Sequence, residues 1–244
     1  MKTLIVKNYK SRYANTALGV LWAVLTPLLI SFIVYFVFSH ITQVSEKNFI
    51  AYVISGMLPW LCFAASVQEG AGSLTDNAGL WRQFRVPLEF MPASCVAVNF
   101  LNLALGLAVA QVFLLRFSPK GIFLFLLLPV PLALHFFFTL GGALIFSSLS
   151  VRRKDTAYFL NVFLLFWLWA SPVFYFRDRF PAAIQRIFDF NIICPFLNLY
   201  RSIYYENTIF NAKDLFAAGC LAFASFLCGY YFFIKREDEL KKAL

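Results

Sequence analysis

Acidic residues are scarce in this chain, and where charge is missing says more than how little there is. The 244 residues include 12 Asp and Glu, and charged residues of either sign make up 14%, against about a quarter in soluble domains. Asp, Glu, Lys and Arg are all absent from six runs of 20 residues or more: 13–45, 48–68, 90–115, 121–151, 156–176 and 215–234. The next longest, 190–200, has 11 residues. A soluble helix turns one face to water and has no reason to exclude charge for so long. About 20 apolar residues of helix, however, cross a hydrocarbon core roughly 30 Å thick. Six spans are predicted, and what remains is too short for a separate soluble domain.

Other absences narrow the chemistry. The five cysteines form no C-x-x-C pair; four fall within spans and only Cys194 lies in a connecting segment, so no disulfide is expected. The two histidines, His40 and His135, stand on different spans with no Cys or carboxylate at ligand spacing, which argues against a metal. There is no G-x-x-x-x-G-K followed by Ser or Thr to cradle nucleotide phosphates, and no G-x-S-x-G or H-E-x-x-H. No carboxylate sits mid-span as a proton relay requires; Glu69, at the end of its span, reads as an interfacial anchor. The Lys-rich start leads into a 33-residue charge-free run, too long for a signal-peptide core. Catalytic residues and bound cofactors are therefore not expected, and a translocation pathway driven from elsewhere is.

What is present organises around the membrane. The net charge of +9 does not form the solvated basic face that nucleic acid needs. Placing 1–19, 76–92, 151–156 and 235–244 on the cytoplasmic side collects 13 of the 21 Lys and Arg there, so both termini are expected inside. Basic residues at the membrane edge also favour anionic lipid. The spans are expected at about 20–41, 49–68, 93–115, 122–149, 157–175 and 215–234. Pro27 is expected to kink the first, and Pro129 and Pro131 to tilt or break the start of the fourth. Residues 2–18 place Ile5, Tyr9 and Tyr13 beside a polar stripe of Asn8, Ser11, Arg12 and Asn15. That fits an amphipathic helix on the inner surface, the alternative being a frayed basic tail. Segment 176–212 carries short apolar faces interrupted by Asn191 and Pro195, too short to span and read as interfacial or re-entrant helices. The expected fold is an all-α membrane protein, one transmembrane domain over 1–244.

Two segments go beyond composition. RYANTALGVLWAVLTPLL (12–29) joins the surface helix to the first span, and NAGLWRQFRVPLEFMP (77–92) links the second to the third. Both resemble the membrane (permease) subunits of type-2 ATP-binding cassette transporters that export polysaccharides such as O-antigen, capsule or teichoic acid. Arg12, Tyr13, Leu18, Gly19, Leu21, Trp22, Leu25 and Pro27 match that family's R-Y-x-x-S-x-L-G-x-L-W-x-x-L-x-P opening. Asn77, Leu80, Pro87 and Pro92 match its second-to-third connection, while Gly79, Trp81, Gln83 and Val86 depart from it. The resemblance continues through Lys154–Asp155 for an Arg-Asp pair, SPVFY (171–175), a separated Asn191 and Pro195, and Tyr200–Arg201.

The resemblance implies an exporter subunit of the bacterial cytoplasmic (inner) membrane. It would act as a homodimer with two copies of a cytoplasmic ATP-binding cassette subunit, which hold the ATP and Mg, and its cargo would be a lipid-linked polysaccharide. It further implies that 76–92 is a coupling helix. Asp76 is its expected N-cap, with Leu80, Trp81 and Phe84 on one side and Arg82 and Arg85 beside them. The open alternative is an interfacial loop anchored by Trp81. Lys10, Arg12, Tyr13 and Trp22 belong to the interface helix and its junction with the first span. Aromatics that stack on sugar rings and polar groups that meet hydroxyls select Ser31, Tyr35, Phe38 and Thr42 on the first span. The same reasoning selects Tyr158, Asn161, Trp167 and Trp169 on the fifth; ordinary helix packing is the alternative. Arg153, Lys154 and Asp155 are candidates for an ion pair at the inner mouth, or a plain stop for the span. Ser171, Pro172, Asn191, Pro195 and Arg201 are candidates for an outer gate. Two other functions fit the same composition: a type-2 permease exporting a drug or lipid, and a membrane enzyme acting on lipid-linked sugars.

Overall fold

The computed structural model describes residues 1–14, 16–40, 48–84, 86–115, 121–153 and 155–243, and among these no strand occurs. Helix α1 (Lys2–Tyr13) precedes α2 (Leu21–His40), α3 (Phe49–Asp76), the short α4 (Ala78–Phe84) and α5 (Phe90–Leu114). A single turn, α6 (Gly121–Leu124), leads through a 3-10 turn into α7 (Pro129–Arg152), followed by α8 (Asp155–Trp169) and α9 (Ala182–Asp189). The chain ends with α10 (Cys194–Arg201), α11 (Ala212–Lys235) and α12 (Glu237–Ala243).

Five of the expected spans are helices long and apolar enough to cross a membrane. The fourth begins broken, as Pro129 implies: α7 starts at that proline after the 3-10 turn. The fifth is a correction. α8 has only 15 residues, about 22 Å at 1.5 Å per residue, and 170–175 turn away from it. Pro172 disfavours helical backbone at Ser171, and the Ser171 hydroxyl donates back to the Trp167 carbonyl at 2.7 Å.

α1 is likewise shorter than 2–18. It stops at Tyr13 because Ala14 turns extended, and the chain re-enters helix through Gly19 at φ +52°, a left-handed conformation cheap only for glycine. Asp76 is not an N-cap: α3 continues through it, and the side-chain amide of Asn77, between α3 and α4, donates back to the Ser73 carbonyl at 2.8 Å.

α3 is the hub. Of its most apolar stretch 78% is buried, against 11% for α2 and 22% for α11, because α2, α5, α7, α8 and α10 all pack on it. α7 and α11 form the other close pair. Their backbones meet where Gly141 faces Ser225 and Gly229, and a β-carbon on either glycine would overlap the facing main chain. Small residues permit such approach between membrane helices.

The two terminal helices lie at the same end of the bundle. Lys7 of α1 donates to Asn77 Oδ1 at 2.9 Å. Glu237 and Lys241 of α12 share a crevice with Trp81, Pro87 and Glu89.

Candidate functional site

At this terminal end, α1 docks through the stripe that reads in sequence as its outer polar face. Asn8 donates to Ser94 Oγ of α5 at 2.9 Å. Arg12 bonds Asn99 Oδ1 at 2.6 Å and pairs with Glu69 of α3. Asn99 also donates to the same Glu69 oxygen at 2.8 Å, and Asn102 donates to the Tyr13 hydroxyl at 2.9 Å. Asn8 and Arg12 thus point into the protein, because Ser94 and Asn99 offer them partners that lipid does not, while Ser11 is exposed and Asn15 lies outside the described residues. Lys10 stays exposed. Glu69 is the centre of a three-residue junction rather than an interfacial anchor. Asn99 and Asn102 are functional candidates that the sequence reading missed; two asparagines three residues apart in an apolar span were the available signal.

Both side chains of the Arg12–Glu69 pair are about one-third exposed, 29% and 36%, so its coupling is smaller than that of a fully buried pair. A double-mutant cycle with Arg12→Ala and Glu69→Ala, read by thermal unfolding in detergent, is expected to give about 1 kcal/mol of coupling. Additive effects would reduce the junction to two unrelated contacts.

A second junction closes the opposite end. Trp167 donates to Asn191 Oδ1 at 3.0 Å, and the Asn191 amide donates to Ser171 Oγ at 2.8 Å and to the Ala170 carbonyl at 3.2 Å. Arg201, almost fully buried, donates to the carbonyls of Pro172 and Val173. Its guanidinium lies 3.9 Å from the ring centroid of Tyr52, and the Tyr52 hydroxyl donates to the Tyr175 carbonyl at 2.9 Å. Gly56 makes room, since a β-carbon there would strike the Val173 carbonyl. Four of the five predicted outer residues therefore meet in one cluster, while Pro195 sits in the first turn of α10. Tyr52 and Gly56 complete the cluster and were not legible as members of it.

The remaining candidates separate. In α4, Trp81 packs on the core while Phe84 is 65% exposed, so Leu80, Trp81 and Phe84 do not share one outward face. Arg85, Lys154 and Thr42 lie outside the described residues. Arg153 and Asp155 flank the α7–α8 turn, both exposed, and no ion pair joins them among the described residues. Asp155 instead stands in the first turn of α8, where the helix dipole favours an acid. On α2 the predicted lining residues pack within the chain. Ser31 is fully buried with its hydroxyl on the Pro27 carbonyl at 2.8 Å, and Tyr35 and Phe38 pack on Phe49 and Phe174. Phe32, Ile33 and Phe36 hold the exposed face. On α8, Tyr158, Asn161 and Trp169 are exposed but Trp167 turns inward between Trp60 and Phe63.

A polytopic helical bundle with both terminal helices at one end and a short helix between its second and third long helices fits a membrane permease domain. The chain belongs to the ABC-2 type transporter family, whose model matches residues 1–205. It is 26% identical over 246 residues to the O-antigen export system permease protein RfbA of Myxococcus xanthus, covering 99% of this chain and 94% of that one. A protein of the same name from Klebsiella pneumoniae is 27% identical over 204 residues, 83% of this chain and 79% of the relative. The capsule polysaccharide export inner-membrane protein CtrC of Neisseria meningitidis serogroup B is 22% identical over 226 residues, 86% and 81%.

Proposed function

We propose that this chain is the membrane subunit of an ATP-driven polysaccharide exporter in a bacterial inner membrane, with a lipid-linked, O-antigen-like glycan as cargo. Two copies would enclose the path, each making six crossings with α8 as the shortest. The terminal end would face the cytoplasm and meet two copies of an ATP-binding cassette subunit carrying the ATP and Mg. The names of the relatives favour a glycan over a drug, and the chain has no phosphate-binding loop of its own.

The observation that carries the coupling is α4. It holds Phe84 out at the end where α1 and α12 converge, while Trp81 roots the helix in the core. An exposed apolar side chain on a short rooted helix is a knob for a partner's groove, and movement of α4 would reach α1 through Lys7 and Asn77. Along α8, the exposed Tyr158, Phe159, Phe166 and Trp169 form an aromatic face suited to the wall of a sugar path.

Phe84→Asp is expected to abolish co-purification with a co-expressed ATP-binding cassette subunit while the chain itself remains membrane-inserted and monodisperse. An intact complex would remove α4 as the contact.

A further inference from the structure

α8 is seated on α3 and α7, yet of its 15 residues only Leu160 and Leu164 are buried. Both border a cavity of about 160 Å³ whose facing walls come from α3 and α7. The void therefore lies at the seat itself, beneath the residues that hold α8 to the bundle. Atoms that line a void forgo the dispersion contacts that a partner would supply.

The lining specifies what would fill it. Trp167 of α8, Phe63 of α3 and Phe138 of α7 contribute rings to the wall. Phe63 stacks near Phe138, with centroids 5.6 Å apart and planes at 24°, and stands edge-on to Trp167 at 5.4 Å and 90°. A planar ring entering among them meets both faces and edges, the arrangements that aromatic pairs prefer. The side-chain donors on the wall are already committed. The Ser225 hydroxyl donates to the Phe138 carbonyl at 2.8 Å and the Trp167 indole to Asn191 at 3.0 Å. An apolar cavity of roughly 150 Å³ in a protein core stays dry and takes up benzene, and this one is of the same size. Phe163 and Ile192 are the exposed residues of the wall and mark the way in. A saturated acyl chain entering there would match the volume but not the ring faces.

We propose that this cavity is a binding site for a single-ring aromatic molecule of benzene size, and that such a guest clamps α8 onto α3 and α7. It requires neither cargo nor ATPase and so stands apart from the export reading.

The test takes the full chain in detergent, with whatever co-purifies, and titrates fluorobenzene under fluorine NMR. A bound resonance distinct from the micelle pool is expected, saturating at one guest per chain. Benzene should displace it about fivefold better than cyclohexane, the margin that aromatic geometry contributes. Gly142→Leu should abolish it. A β-carbon on Gly142, which lines the cavity, makes only an ordinary contact with Val67 at 3.6 Å, so the added chain fills the space without striking backbone. With the guest at about ten times its dissociation constant, hydrogen exchange of the α8 amides should slow about tenfold. Guest dissolved in the micelle does not produce that effect. Absence of a saturable resonance, an equal one in Gly142→Leu, or equal displacement by cyclohexane would overturn the site, and unchanged α8 exchange would overturn the clamp. Should Gly142→Leu not fold, displacement on the unaltered chain decides alone.

Discussion

Gly141→Val is expected to eliminate folded protein: the chain should aggregate on extraction into mild detergent. At this crossing of α7 and α11 a β-carbon on Gly141 would run into the main chain and hydroxyl of Ser225, and one on Gly229 would run into Gly141. The Ser225 hydroxyl also donates to the Phe138 carbonyl of α7 at 2.8 Å, so separating the helices breaks a hydrogen bond as well as the packing. Overfilling a core by a methylene or two typically costs about 1–3 kcal/mol because side chains yield. Here the obstruction is backbone, which cannot rotate away, so the cost lies at or above the top of that range. Gly142 provides the control. A β-carbon there would make an ordinary contact with Val67 at 3.6 Å, and Gly142→Ala should leave the yield unchanged. Size-exclusion profiles of the two variants check the claim; a monodisperse Gly141→Val protein would show that the close approach is dispensable.

Arg201→Leu is expected to lower stability by about 2 kcal/mol and to loosen the end opposite the terminal helices. Removing a buried charge relieves its desolvation, which works in favour of the variant. Against that, the carbonyls of Pro172 and Val173 lose their donor, and hydrogen bonds from a charged group contribute about 1.5–3 kcal/mol each. The contact with the Tyr52 ring is lost too, about 2 kcal/mol when shielded from water. Among the described residues no carboxylate pairs with Arg201, so its attachment rests on those carbonyls and that ring. Arg201→Lys should recover little, since one ammonium does not reproduce a planar group bonded at its edge and stacked on its face. Thermal unfolding and maleimide labelling of Cys194, in the first turn of α10, provide the readouts. Unchanged unfolding together with unchanged labelling would mean that the turn after α8 is held by something else.

The extent of α8 shows how a span can be found and still be misjudged. Absence of charge over 156–176 correctly marks apolar chain, but being apolar does not require being helical. Ser171 and Pro172 stop the helix, and Arg201 and Asn191 supply the partners that a non-helical backbone needs away from water. The faces of α1 and α2 are not legible in sequence for a related reason. A polar stripe on α1 and a mixed stripe on α2 look alike whether they meet headgroups, a pore or another helix. The residues that decide among these are Glu69, Asn99 and Asn102 for α1 and Phe49 and Phe174 for α2, all of them distant in sequence.

The positions of the long apolar helices, the broken start of α7 at Pro129 and the turn at Gly19 follow from the amino-acid order. Each is a local consequence of hydropathy, of a missing N–H or of a missing side chain. Which side of each helix faces its neighbours was decided only by the tertiary structure. In a bilayer the lipid-facing and protein-facing sides are both apolar, so the periodicity that orients a soluble helix carries almost no signal here. The Arg12–Glu69–Asn99 junction and the Arg201 cluster arise from segments brought together by packing.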